Sequence, residues 1–455
     1  MADNARELAS APFLARVAEI SSARLRCINE VLALTLRYFP CISRGNHTTH
    51  NSVDVSMRPT ICNDAGEAAV HDMKGALSVP DWPALTDSEV HALADEFAAL
   101  VHPLRLLWRS PRPFSAAALV QTGGGSVFFI KRHDSRVRDL AGLREEHRFI
   151  AHLRTRGAPV PAVIASHRND TAVAIDRWSY EVHELAPGVD AYREAHSWTP
   201  VRSLGQARAL GSALAQMHLA ATDFDAPTRP PRPLMAGLEI VGSAQLSQAL
   251  EHFVMRRPAV AAFLGQANWR DRVLEALEPT HALLRPLLSS LDPLWVHNDW
   301  HASNLFWTDE SAHAQVSAII DFGLCNRGVA VADLATALER NTIAWLELDL
   351  RAREDTDAIG RAPLAQALLH GYCAVRPLQP VEREALPLFL SLAHVEYAFS
   401  EVEYFHGIVG SDANARLAYP DFLLGHVEWF DSYHGRKYIE ALRGALRSAG
   451  RLVAA

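Results

Sequence analysis

Short apolar runs, each closed by a turn signal, alternate along the chain with longer stretches in which apolar residues recur every three to four positions. SVFFIKRH (126–133), TAVAI (171–175) and SYEVHEL (179–185) are of the first kind and predict strands. PLWVH ahead of Asp299 and VSAII ahead of Asp321 predict two further buried strands, each delivering an acid at its end. Gly123, Gly124 and Gly125 stand directly before the 126–133 run. They predict a hairpin turn, because the G-x-x-x-x-G-K-[ST] spacing of a phosphate loop is missing. Helical periodicity runs from Val137 to Arg156 through Leu140, Leu143, Ile150 and Leu153, and Gly157 and Pro159 close it. Thr86 and Glu89 form a capping-box pattern that opens a helix reaching about Val101. Beyond Asp333 the periodic patterns are helical, over 364–374, 381–407 and 421–448, with Pro363 at a helix start.

Chemistry concentrates where the two acid-ended strands lie. VHNDWHASNLFW sets His297, Asp299 and Asn304 in the spacing H-x-D-x-x-x-x-N, and Asp321 follows seventeen positions after Asn304 in Asp-Phe-Gly. Taken singly, any of these acids is an ordinary turn or cap residue. Together they are the set that phosphoryl transfer from ATP requires. One carboxylate positions and deprotonates an acceptor hydroxyl, while an amide oxygen and a second carboxylate hold Mg²⁺, a hard ion that takes oxygen ligands. Upstream, Lys131 ends an apolar strand, and a buried ammonium needs an anion.

In these residues the chain resembles the aminoglycoside phosphotransferase and choline kinase-like family, over about Leu104 to Trp345. His301 and the later Asp333, Leu334 and Ala335 match the family pattern as well. The resemblance implies an α+β, protein-kinase-like fold in two lobes: a five-stranded antiparallel sheet with one main helix, then a mostly helical C-lobe. It implies Asp299 as catalytic base and Asn304 and Asp321 as metal ligands. His297, His301 and Asp333 would support the catalytic loop. Lys131 would hold the nucleotide phosphates while paired to Glu146, chosen over Glu145 by its spacing to Leu153. Glu184, Leu185 and the following Ala186, Pro187 and Gly188 would form the hinge that meets adenine. The segment 189–270 and the C-lobe helices would supply the acceptor pocket, where Glu396, Glu401 and Glu403, interleaved with Tyr397, Tyr404 and Phe405, would suit an amine-bearing acceptor. An ordinary charged helix face is the plainer reading of those three acids.

The chain departs from the family in three places. Asn298 stands where glycine is common, and Trp300 where a smaller apolar residue is usual. The loop expected over the phosphates, Arg109 to Phe114, has prolines and arginines but no glycine. Phosphate contact there would fall to Lys131 and an arginine, Arg112 before Arg109. His218, on an apolar helix, reads as a packed core histidine. A protein kinase is disfavoured because Asp333 lies only twelve positions after Asp321, too close for a long activation loop. A non-catalytic nucleotide-binding module is disfavoured because every catalytic position is filled.

Composition narrows the rest. With 455 residues, 49% of them hydrophobic, there is ample material for a large core, and a net charge of −8 argues against a nucleic-acid partner. Five scattered cysteines without a C-x-x-C pair predict neither zinc binding nor a disulfide framework, and a cytoplasmic setting is expected. The apolar stretch 28–42 contains Glu30 and Arg37 and is too short to span a bilayer, so no membrane partner is expected. Residues 1–80 read as a disordered or extraneous extension, 81–187 as the nucleotide-binding N-lobe and 188–455 as the C-lobe. The expected partners are ATP and a small-molecule acceptor.

Overall fold

Arg105–Arg109 (β1), Ala116–Gln121 (β2), Val127–Asp134 (β3), Val173–Ile175 (β4) and Trp178–Glu184 (β5) form one antiparallel sheet in the order β1-β2-β3-β5-β4. This is a computed structural model, and it describes residues 70, 71, 77, 78, 80–110, 112–265, 268–347 and 359–453. The proposed extension up to residue 69, with its apolar stretch 28–42, lies outside the described residues, as does Pro111.

Strand alternation decides what each sheet face does. Ala118, Val120, Ile130, Tyr180 and Val182 are buried against Val90, Leu93 and Phe97 of the helix Asp87–Ala94 (α1) and its following turn. Thr86 and Glu89 make the expected capping box at its start. That helix stops at Ala94 instead of reaching Val101, because Phe97 and Leu100 turn inward to fill this small core. The other face carries Lys131, His133, Glu181 and His183, and Lys131 sits directly opposite Glu181 in the β3–β5 register. The helix Leu140–Thr155 (α2) flanks this face. It begins three residues later than its periodicity suggests, because the Asp139 side chain accepts from the Gly142 N–H at 2.7 Å and fixes the start there. The glycine triplet forms the β2–β3 turn, as expected.

Beyond Glu184 the chain is mainly helical. Leu204–Ala220 (α3) packs along its length on Ala362–Val375, two helices close enough that Gly211 and Gly371 each face the other's backbone. The segment expected as one helix over 381–407 is three pieces: Pro380–Phe389, Val395–Val402 and a wider turn at Glu403–Val409. The 421–448 stretch divides at Ser432, whose extended backbone breaks the ladder and whose hydroxyl accepts from the Gly435 N–H. Two small hairpin-like pairs sit at the junction with the sheet. Pro293–Val296 (β6) pairs with Asn326–Val329 (β9), and Leu305–Trp307 (β7) pairs with Val316–Ile319 (β8). Gly188 has φ +99°, and a Cβ there would strike Ser317 and the Trp307 carbonyl, so the linker after β5 lies flat on the β7–β8 pair.

The sheet side and the helical side are joined through two buried arginines. Arg229 is fully buried and donates to Glu146 at 2.6 Å, to the Gly142 carbonyl at 3.1 Å and to the Cys325 carbonyl at 2.9 Å. Arg138 reaches the same Glu146 at 3.2 Å and donates to the carbonyls of Leu234 and Gly323. Burial alone would lower the Arg229 pKa, but Glu146, Cys325 and Glu145 together outweigh it, and the guanidinium stays charged. Arg229→Ala would leave the buried Glu146 with Arg138 as its one remaining arginine among the described residues and strand the Gly142 and Cys325 carbonyls. We expect it to lower unfolding stability by about 3–5 kcal/mol, read from the denaturant midpoint; a loss within the range of a surface substitution would refute the bracing role.

Candidate active site

The loop after β6 is shaped by one carboxylate. Asp333, near the start of Ala330–Thr342 (α4), accepts from the backbone N–H of His297 at 3.0 Å and of Asn298 at 2.9 Å. His218 approaches the same group at 3.0 Å and is itself oriented by the Tyr372 hydroxyl at 2.8 Å. His218 is thus a core residue with a polar task. Burial would push Asp333 up, but His218, His297 and the backbone donors hold it below its ordinary value. His297 then spans the loop: its Nε2 meets the Ile320 carbonyl at 3.0 Å, and its Nδ1 accepts from the Asp299 N–H at 3.2 Å.

Both departures in this loop have a local explanation. Asn298 has φ +61°, the left-handed region where glycine is cheapest and asparagine is tolerated, and its amide donates to the Leu324 carbonyl at 3.1 Å. Trp300 is fully buried against His297 and does not line the cavity, so its bulk belongs to the core and leaves the acceptor side unchanged.

Asp299, Asn304, Asp321 and Lys131 line one cavity of about 320 Å³ between the sheet and the helices. Asn304 donates through Nδ2 to the Asp299 carboxylate at 3.0 Å and to its carbonyl at 2.9 Å. With the nitrogen committed there, the amide oxygen is left for a cation. Asp321 also has a positive φ, +59°, and lies 2.8 Å from Lys131 Nζ. An amide oxygen and a carboxylate at the cavity wall fit a hard divalent ion. Burial opposes the charge on Lys131, but Asp321 and Glu181 keep its pKa raised.

The expected Lys131–Glu146 pair is not made. Glu146 is taken by Arg229 and Arg138, while Lys131 is answered by Asp321 in contact and by Glu181 across the strand pair. Arg229 lies far along the chain from the helix pattern that suggested Glu146, so its competition could not be read from that helix. Glu184 and Leu185 line the cavity where β5 ends, together with Ala186. Arg109 donates to the Leu85 carbonyl at 3.0 Å and so works within the fold. Arg112 lines the cavity, but its guanidinium reaches the Tyr192 carbonyl at 3.2 Å and Ser197 at 3.3 Å.

Of the three acids assigned to an acceptor, the structure brings one to the cavity. Glu396 accepts from the N–H groups of Gly237 at 2.9 Å and Ile240 at 2.7 Å, and Glu403 pairs with Arg257 at 3.3 Å. Both serve the helix packing. Glu401 lines the cavity beside Tyr397 and Phe405, and burial, only partly offset by Arg340 and the Tyr397 hydroxyl, pushes its carboxyl up to about 8.

Arg340 is the residue that sequence reasoning missed. It is buried and ion-paired to Asp299, and its guanidinium lies 5.1 and 4.9 Å from the ring centroids of Trp198 and Tyr397. His301 approaches the same Asp299 oxygen at 3.4 Å. Burial would raise the Asp299 carboxyl, but His301 and Arg340 hold it far below the usual range. A signal existed: Arg340 follows Asp333 by seven positions, two helical turns, and so projects from the same face of α4.

The APH model, the phosphotransferase enzyme family, matches residues 112–383, more than half of the chain. The chain belongs to this family. It is a kinase that uses ATP to phosphorylate a hydroxyl of a small molecule. Among curated relatives, the homoserine kinase of Xanthobacter autotrophicus is 29% identical over 276 residues, covering 59% of this chain and 71% of that protein. The homoserine kinase of Acidiphilium cryptum is 26% identical over 258 residues, covering 55% and 66%. Among solved structures, a microcompartment-associated aminopropanol kinase aligns with a TM-score of 0.48 at 18% identity, over 80% of this chain and 96% of that one. Amicoumacin kinase hAmiN, solved with AMP-PNP and Ca²⁺, aligns with a TM-score of 0.49 at 16% identity, over 75% and 92%. No helix among the described residues is long and apolar enough to cross a membrane.

The ion pair on Asp299 makes a signed prediction. Arg340 and His301 both favour its charged form, and removing the guanidinium must raise its pKa. Arg340→Met should therefore move the acidic limb of the kcat/KM profile to higher pH and leave the alkaline limb in place. An acidic limb that stays where it was would show that Arg340 does not set the charge of Asp299.

Proposed function

We propose that the chain transfers the γ-phosphate of Mg²⁺-bound ATP to a hydroxyl of a small, amine-bearing alcohol, with Asp299 as the base. The observation that carries this reading is the convergence of Asp299, Asn304, Asp321 and Lys131 on a single cavity. Asp299 accepts the hydroxyl proton and aligns the attacking oxygen. Lys131 binds the phosphate oxygens. Asn304 and Asp321 would hold the Mg²⁺, which supplies charge neutralisation to the transferring group. Glu184 and Leu185 place backbone groups beside the adenine. His297, His301 and Asp333 keep the loop and its carboxylate in position. ATP as donor supports a cytoplasmic setting.

For the acceptor, Trp198, Tyr397 and Phe405 offer aromatic faces and Glu401 a carboxyl group, all lining the cavity that also holds Asp299. Aromatic faces and a carboxylate together attract an ammonium group. An entering amine would also favour the ionised form of Glu401. The homoserine kinase relatives, whose named substrate carries an amine and a hydroxyl, agree with that chemistry.

The direct test is ADP release with a panel of amino alcohols, homoserine and aminoglycosides, alongside acceptors that lack an amine. Turnover should require an amine-bearing acceptor and vanish when chelator removes Mg²⁺. Asp299→Ala should stay folded and lose about 10²–10⁴-fold in kcat. Activity that persists in chelator, or near-full turnover by the alanine variant, would sink the reading.

The stiff loop after β1 makes a second case. A methyl group added at Gly124 would meet open space, its nearest neighbour being Thr122 Oγ1 at 3.9 Å, whereas Arg112 lines the cavity. Arg112→Ala should raise the KM for ATP several-fold, and Gly124→Ala should leave it unchanged. The opposite ranking would reassign phosphate contact to the glycine turn.

A further inference from the structure

The sheet face that carries Lys131 also carries a group of side chains that phosphoryl transfer does not use. Glu181, on β5, accepts from three imidazoles. His133 Nε2 lies 2.9 Å from its Oε1, and His147 Nε2 and His183 Nε2 lie 2.7 and 2.9 Å from its Oε2. Strand alternation places His133, Glu181 and His183 on this face, and α2 brings His147 down onto it. Glu181 and His147 are buried. His183 keeps 17% of its side chain exposed and, with Glu181 and His133, lines the nucleotide cavity, which gives the group an entry path.

We propose that His147, His183 and Glu181 form a binding site for one divalent transition-metal ion of the zinc class, with His133 fixing the second oxygen of Glu181. The three ligand atoms lie within 4.8 Å of one another. Bonds of about 2.0–2.2 Å to a common centre therefore need only side-chain adjustment. Two imidazole nitrogens and one carboxylate oxygen are a borderline-soft donor set that selects zinc-like ions over Mg²⁺, for which Asn304 and Asp321 offer oxygens alone. Three protein ligands leave a fourth position open. In the metal-free hydrogen bonds each Nε2 donates its proton to Glu181; a neutral imidazole binds the ion by carrying its proton on Nδ1 instead, which frees the Nε2 lone pair. His133, bonded to the other carboxylate oxygen, orients the ligand as outer partners do in metal sites. The nearby charge of Lys131 is answered in contact by Asp321, so it does not bar a cation.

A second group, Glu339, His394 and His426, has similar spacing but is buried on all three members and lines no part of the cavity. It serves as the internal control. The full chain, stripped with chelator and returned to millimolar Mg²⁺ to saturate the oxygen site, would be titrated with Zn²⁺ by calorimetry and by thermal melting. One ion should bind per chain with a rise in Tm. Glu181→Gln and His183→Gln should each weaken binding by at least about 100-fold, His133→Gln should weaken it by about 10–100-fold, and His426→Gln should leave it unchanged. Circular dichroism of the metal-free variants establishes that each folds. Should a variant fail to fold, Co²⁺ loading of the unaltered chain decides: intense visible absorption marks a four- or five-coordinate site with nitrogen ligands, and weak absorption marks six oxygens. Absence of stoichiometric Zn²⁺ binding, retention of binding in both Glu181→Gln and His183→Gln, loss in His426→Gln, or the weak cobalt spectrum would each overturn the proposal.

Discussion

The carboxylate of Asp333 holds the site together. It is fully buried, yet it stays ionised because two backbone N–H groups and His218 answer it. Those two N–H groups belong to His297 and Asn298, so the carboxylate fixes the loop where it turns through the left-handed conformation of Asn298. With the turn fixed, His297 closes onto the Ile320 carbonyl and ties the Asp299 loop to the segment bearing Asp321. The candidate base and the candidate metal ligand thus share one frame. A buried acid that stays charged gives the loop few alternative arrangements, since any other would strand it unpaired.

The sequence made much of this legible, for a physical reason. Asp299, Asn304 and Asp321 lie on short loops at strand ends, and local spacing there determines geometry. Lys131 was legible because strand alternation and a buried charge together demand an anion. Glu146 was misread because its partner was decided by tertiary competition. Arg229, from a coil segment far along the chain, forms a closer and more fully satisfied contact than Lys131 could. Arginine presents several donors in a fixed fork and suits a dry junction between elements better than an ammonium does. The acids at 396, 401 and 403 looked alike in sequence. Only helix rotation distinguished them, sending two toward backbone and arginine partners and one into the cavity.

Arg340 changes the character of the candidate base. An unpaired buried aspartate would have its pKa raised and would compete well for a proton. Asp299 instead has a guanidinium and an imidazole on one oxygen and an amide on the other. Its affinity for a proton is low, so on the kinase reading it would contribute more by aligning the hydroxyl than by removing the proton early. That suits a loose transition state, in which the attacking oxygen keeps its proton until late. The rings of Trp198 and Tyr397, which meet edge to face, both contact Arg340 and help to keep the guanidinium in place.

Lys131 links this chemistry to the rest of the sheet. It donates to Asp321, so the candidate phosphate ligand and the candidate metal ligand neutralise each other at 2.8 Å. On the kinase reading, Mg²⁺-bound ATP gives both groups new partners at once, and the pair separates without exposing a bare buried charge. The anion that remains beside Lys131 is then Glu181, set opposite it in the strand register. Glu181 is also the carboxylate at which three histidines meet. A cation bound there would cancel much of its charge and leave Lys131 to the phosphates alone, strengthening the demand for nucleotide. On that reading Glu181, set opposite Lys131 in the strand register, sits where a bound ion would change the grip of Lys131 on ATP.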